Sequence, residues 1–203
     1  MFRLRNTSEE VKHKQMKYDL PILNNISDSM GVVCAEMDCF FDLLHDENYF
    51  CWQSVKHVIL NLANCFELLV KYRLWDEHWC LLYSDVTKAK YSEFCAGDFV
   101  SIDVMTGIKR LQNICEVKVN ASSCLKIQQY RNKLMHFTLL GEVEEIIINI
   151  STALSEIAQF YEAEIKPLVS DEAKKDFETS ISQLQEKSLF LQKIDLASII
   201  SEF

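Results

Sequence analysis

Four glycines and two prolines in 203 residues constrain this chain more than any motif it carries. An antiparallel sheet protein needs a turn about every ten residues, and its turns draw on Gly and Pro for backbone angles that other residues resist. Six such residues cannot supply them, nor can they build a collagenous or Pro-rich chain. Helices must dominate. The expected fold class is all-α, a single-domain antiparallel helical bundle with a C-terminal helical extension.

Apolar spacing predicts where those helices lie. A first helix is expected from a capping region at Ser27 and Asp28 to about His45, with Val33, Met37, Phe40, Phe41 and Leu44 near helical spacing. In the second, Val55, Val58, Ile59, Leu62, Phe66 and Leu69 fall at offsets 0, 3, 4, 7, 11 and 14, which is one buried stripe. Residues 76–103 are less regular. Gly97, Asp98 and the FVSIDV stretch suggest a loop leading to a short extended piece, then a helix over 106–115. A further helix holds LKIQQYRNKLMHF and stops around Gly141, another spans 142–166 until Pro167 ends it, and Ser170 and Asp171 cap a last amphipathic helix to about Ile194. The chain thus divides into an N-terminal extension (1–26), a helical bundle (27–168) and a C-terminal amphipathic helix (169–203).

Several classes of function are unsupported. No apolar run reaches the roughly 18 residues that suggest a membrane span. The first twenty residues carry charges throughout and lack an apolar stretch with a small-residue cleavage site, so the protein is expected to be cytoplasmic. The eight cysteines fall mostly at apolar positions of helical patterns and read as reduced core filler. There is no Cys-x-x-Cys or His-x-x-x-His, so no metal is expected. Neither is a nucleotide cofactor, since G-x-G-x-x-G, Walker and G-x-S-x-G patterns are all missing.

The net charge of −9 is unevenly spread. Residues 104–141 hold six basic side chains and one acidic, a net +5 in an otherwise acidic chain. Because screening hides charges beyond about 10 Å, such an island can hold a phosphate backbone even on an acidic protein. Lys109, Arg110, Lys118, Lys126 and Lys133 are the candidate RNA-binding residues, set against the ordinary reading of a charge cluster as a solvated helix face.

Within that island, Gln129-Tyr130-Arg131-Asn132-Lys133-Leu134-Met135-His136-Phe137 brings a guanidinium, an amide and an imidazole close together. Ile127, Tyr130, Leu134 and Phe137 gather on one side of a helix, where Tyr130 reads as core. Asn132 and His136, four apart, lie together nearly opposite. Arg131 and His136 are roughly 140° apart on an ideal helix, so they do not converge on one atom within one chain. A two-fold dimer would bring two of each into one cleft. That set suits metal-free attack on a phosphodiester: His136 as general acid or base, Arg131 neutralising phosphoryl oxygens, Asn132 orienting the imidazole.

The string from Arg131 to His136, followed by Phe137, resembles the R-x(4–6)-H signature of HEPN domains. The upstream ANCFELLVKYRLW and DEHWCLLYSDV are similar to the A-x-E-L-L-x-K helix and following segment of many HEPN sequences. The likeness covers roughly residues 52–150. It implies a HEPN-like bundle that dimerises around the motif and is often a metal-independent endoribonuclease, in which the RNA 2′-hydroxyl attacks its own phosphate to leave a 2′,3′-cyclic phosphate. Carried onto this chain, Arg131, His136 and Asn132 take the catalytic places. Glu67 and Lys71 match an E-x-x-x-K element that supports the site in several HEPN groups, although Glu and Lys four apart also form an ordinary helix-stabilising pair. The resemblance further implies a toxin or phage-defence setting with an antitoxin or other regulatory partner protein. Thr138 stands where the branch modified by nucleotidyltransferase antitoxins often carries Tyr. Two other readings stand beside the nuclease: a non-catalytic HEPN module binding RNA, a nucleotide or a protein, and a plain helical interaction protein.

Overall fold

The computed structural model describes residues 21–46 and 51–194, so most of the expected N-terminal extension and the end of the chain lie outside the described residues. Those residues are helical without a strand, and seven α-helices follow one another: α1 (Ile22–Asp46), α2 (Trp52–Glu77), α3 (Tyr91–Ala96), α4 (Val104–Asn113), α5 (Ser122–His136), α6 (Val143–Phe160) and α7 (Asp171–Leu191). No helix among the described residues is long and apolar enough to cross a membrane.

α1 begins several residues before the expected Ser27/Asp28 cap. Pro21, at the helix edge where a missing N–H leaves nothing unpaired, offers its carbonyl to the Asn25 N–H at 3.1 Å, and Ile26 and Met30 are fully buried. Burial of that extra turn overrides the local capping preference of Ser27 and Asp28. α1 and α2 pack antiparallel, as two polar contacts along their seam show: Asn64 Nδ2 donates to Ser29 Oγ at 2.8 Å, and His57 Nδ1 pairs with Glu36 at 2.8 Å. The expected stripe of α2, from Val55 to Leu69, is buried throughout.

Residues 79–103 form an aromatic satellite, with Trp79 against Phe94 (5.6 Å) and Tyr83 stacked on Phe99 (4.6 Å). The expected extended piece reduces to a single antiparallel bridge between Tyr83 and Ser101. α4 starts two residues before the expected Thr106 because Asp103 caps it, its carboxylate accepting the Thr106 N–H at 2.8 Å. Gly107 lets α4 lie directly on α2, where a Cβ would meet Val70 Cγ1 at 2.6 Å.

α6 continues through a π-helical turn, Tyr161–Ile165, to the expected stop at Pro167. α7 then returns antiparallel to it and is built into the bundle. Phe177 stacks on Tyr161 at 5.4 Å, Ser151 and Ser188 exchange hydroxyl-to-carbonyl bonds of 3.0 and 2.8 Å, and Lys187 pairs with Asp38 of α1. The amphipathic segment expected as a C-terminal addition therefore closes the core between α1 and α6. Of the eight free cysteines, Cys34, Cys51, Cys65 and Cys124 are buried, Cys80 and Cys115 are half-buried, and Cys39 and Cys95 are exposed, so core filling explains only part of the set.

The start of α5 depends on a residue far away in sequence. Ala121 precedes the helix and has no side chain that can cap it. Glu156 of α6, only 3% exposed, takes that role: Oε2 accepts the Cys124 N–H at 2.9 Å, and Oε1 accepts from the Ser123 N–H at 3.2 Å and Ser122 Oγ at 3.0 Å. Glu156→Ala strands these donors and should lower the unfolding free energy by on the order of 3 kcal/mol, read as a fall in the urea midpoint at unchanged slope. Glu156→Gln keeps an acceptor and should cost less.

Candidate functional site

α5 is held along most of its length and open at its end. Gln128 Nε2 donates to the Ala63 carbonyl at 2.9 Å, tying α5 to α2. On the other side the Tyr130 hydroxyl donates to Glu145 at 3.2 Å and accepts from Asn149 at 3.3 Å. Burial and the adjacent Glu145 carboxylate push the Tyr130 phenol up to about 12, so it remains protonated and acts as a donor. Lys126 pairs with the same carboxylate at 3.1 Å, lies 5.7 Å from the Tyr130 ring centroid and holds Glu145 below the usual carboxylate range.

Beyond Tyr130 the contacts thin out. Arg131, Asn132, Lys133 and His136 are all exposed in the last two turns. Asn132 and His136 share an open depression of about 570 Å³ with Lys133, Phe137, Thr138 and Leu140. Arg131 lies outside that lining, but its Nη1 donates to Asn132 Oδ1 at 3.0 Å, which anchors the guanidinium beside it. Asn132, expected to orient the imidazole, is thus engaged through its amide oxygen by Arg131. Phe137, expected on the buried stripe, caps the helix instead and is 92% exposed, because its backbone has already left helical geometry.

The remaining candidates do not gather here. α5 runs antiparallel to α2, so Glu67, four residues beyond Ala63, is level with the first turn of α5, about 18 Å along the axis from His136. Glu67 and Lys71 form their own 2.7 Å pair, and Lys71 also donates to Ser101 Oγ at 3.0 Å, so within one chain they do not reach the motif. Lys109, on α4 near Val70 of α2, stands about 20 Å along the bundle from Lys133, which is twice the screening length. Lys118 is exposed in the connection that leads into the far end of α5. Arg110 is a structural clamp, its guanidinium donating to the carbonyls of Leu81, Tyr83 (2.6 Å) and Ser84 (3.3 Å). The basic island of the sequence is therefore dispersed, and only Lys133 and Arg131 lie at the His136 end.

Packing adds neighbours that the sequence did not single out. A second cavity, of about 290 Å³, lies between the start of α2 and the end of α5, lined by Trp52, Gln53, Lys56, Leu134 and Leu139 among others. Periodicity could not find it, because Trp52, Gln53 and Lys56 lie off the buried stripe of α2. Only the antiparallel register brings them to Leu134. Among the described residues, no group of three or more His, Cys, Asp or Glu is placed to hold a metal ion.

The two kinds of basic residue separate experimentally. Arg110→Ala should speed amide exchange in residues 79–88 and lower stability by about 1.5–3 kcal/mol, whereas Lys133→Glu should leave both unchanged. No protein-family model matches the chain, and no curated protein or solved structure matches it.

Proposed function

We propose that the protein is a metal-independent endoribonuclease of HEPN type whose site is completed by a second copy of the chain. The observation that carries this reading is the open end of α5, where an imidazole and a lysine line one depression and a guanidinium outside that lining is bonded to the Asn132 amide that also lines it. His136 supplies a proton acceptor or donor, and Arg131 supplies a positive fork for phosphoryl oxygens. The RNA 2′-hydroxyl is the nucleophile, so the protein needs only to move a proton and steady the charge that develops.

The dimer is supported by what surrounds these groups. Met135, Phe137 and Leu140 are 61%, 92% and 80% exposed, an apolar fringe on the same short stretch as His136. Pairing two such fringes about a two-fold axis removes them from water. It also sets Arg131 of one copy opposite His136 of the other, which the helical angle prevents within a single chain. The resemblance of the motif to HEPN domains points the same way.

With total RNA in EDTA, cleavage should proceed and His136→Ala should reduce it by roughly 10²-fold or more. Arg131→Lys should lose most of the activity although its charge is kept, since ammonium cannot bridge two oxygens. Products should end in 2′,3′-cyclic phosphate, and a 2′-deoxy nucleotide at the cut should block it. Mixing Arg131→Ala with His136→Ala copies should restore partial activity, and Phe137→Glu should give a monomer by scattering and abolish cleavage. RNA binding without cleavage by the wild type would replace this reading with the non-catalytic module.

A further inference from the structure

We propose that Cys80 is the nucleophile of a Cys–His pair with His78 and that it takes up low-molecular-weight disulfides, such as glutathione disulfide, as a mixed disulfide. α2 ends at Glu77, where the His78 N–H still bonds to the Leu74 carbonyl at 3.0 Å, and the chain then runs through a short 3-10 turn, Trp79–Leu82. At the head of that turn the His78 imidazole meets the residue two positions later. Its Nδ1 lies 3.0 Å from Cys80 Sγ and accepts the Cys80 backbone N–H at 3.2 Å. A backbone N–H donates and never accepts, so Nδ1 carries a lone pair and the ring proton sits on Nε2. Toward that lone pair the thiol is the donor.

A thiol within hydrogen-bond reach of an imidazole that can take its proton is the arrangement of an activated sulfur nucleophile. The surrounding turn holds it in place: the Leu81 N–H bonds to the His78 carbonyl at 3.0 Å, the Tyr83 N–H to the Cys80 carbonyl at 3.1 Å, and Arg110 fixes the carbonyls of Leu81 and Tyr83. The pair is also within reach of solvent, since His78 is exposed and Cys80 half-buried. In the reaction Sγ passes its proton to Nδ1 and bonds to one sulfur of the disulfide. The S–S bond breaks, its electron pair leaves with the other sulfur, and that thiolate recovers the proton from the imidazolium. Cys80 is thereby oxidised and half of the disulfide reduced to a free thiol, with nothing else consumed. Cys39 and Cys95 are exposed outright, so access by itself ranks them ahead of Cys80. The imidazole reverses that order.

The experiment incubates the folded full-length protein with glutathione disulfide at neutral pH, stops samples at intervals by acid and alkylation, and maps the adduct at each cysteine by mass spectrometry. Cys80 should acquire it about 10-fold or more faster than Cys39 and Cys95. His78→Asn separates the proton-accepting role from the structural one. Its amide oxygen can still accept the Cys80 N–H at the head of the turn, but it cannot take the thiol proton. That variant should bring the Cys80 rate down to the rate of the exposed cysteines and leave theirs unchanged. His78→Gln, with the same chemistry on a longer side chain, should do likewise, and amide exchange in residues 79–88 reports whether each turn is intact. Loosening of the turn would expose the thiol and raise its rate, so a fall cannot come from local unfolding. Cys80 reacting no faster than Cys39 or Cys95 in the native protein would overturn the proposal, whatever the variants do. So would an unchanged or raised Cys80 rate in both variants.

Discussion

The carboxylate of Glu156 at the N-terminus of α5 is the interaction on which the presentation of the site depends. A helix leaves its first N–H groups without internal partners, and here they lie in the interior, where an unpaired donor costs most. The residue that precedes the helix is Ala121, which has no acceptor. By bonding to two backbone N–H groups and the Ser122 hydroxyl, Glu156 fixes where α5 starts and how it is rotated. Since every later residue follows at about 100°, that rotation sends Ile127 and Tyr130 inward and Asn132 and His136 outward.

Restraint then declines along the helix. Glu156 holds its first turn, Gln128 and Tyr130 hold the middle through α2 and α6, and the last two turns carry exposed polar groups beside exposed apolar ones. A helix held rigid at one end and open at the other suits a site, because geometry is set by the clamped part while reactive groups remain accessible. The same arrangement explains why Phe137 and Leu140 are left in water in a single chain. They belong to a surface that the bundle itself does not cover.

Charge shows how differently the sequence and the folded chain distribute the same residues. A window of +5 in the sequence becomes several separate features: Arg110 closes a loop by bonding its carbonyls, Lys126 is neutralised by Glu145, and Lys109 lies about two screening lengths from Lys133. The length of α5 alone sets its two ends roughly 20 Å apart. Lys56, from a segment with no unusual charge, comes instead to the cavity beside Leu134.

What the sequence determined by itself was what depends on local period: an all-helical chain, the buried stripe of α2, and the outward face shared by Asn132 and His136. These follow from 3.6 residues per turn and from the scarcity of Gly and Pro, and no distant contact is needed to read them. Tertiary structure decided the rest. It started α1 at Ile22 because Ile26 finds a core to enter, and it made α7 part of the bundle through Phe177, Lys187 and Ser188. It also separated Glu67 and Lys71 from His136 and brought Trp52 to Leu134. Each outcome turns on which helix faces which and in what register. That is settled by the free energy of burying side chains dozens of residues apart, a quantity that no local window of sequence contains.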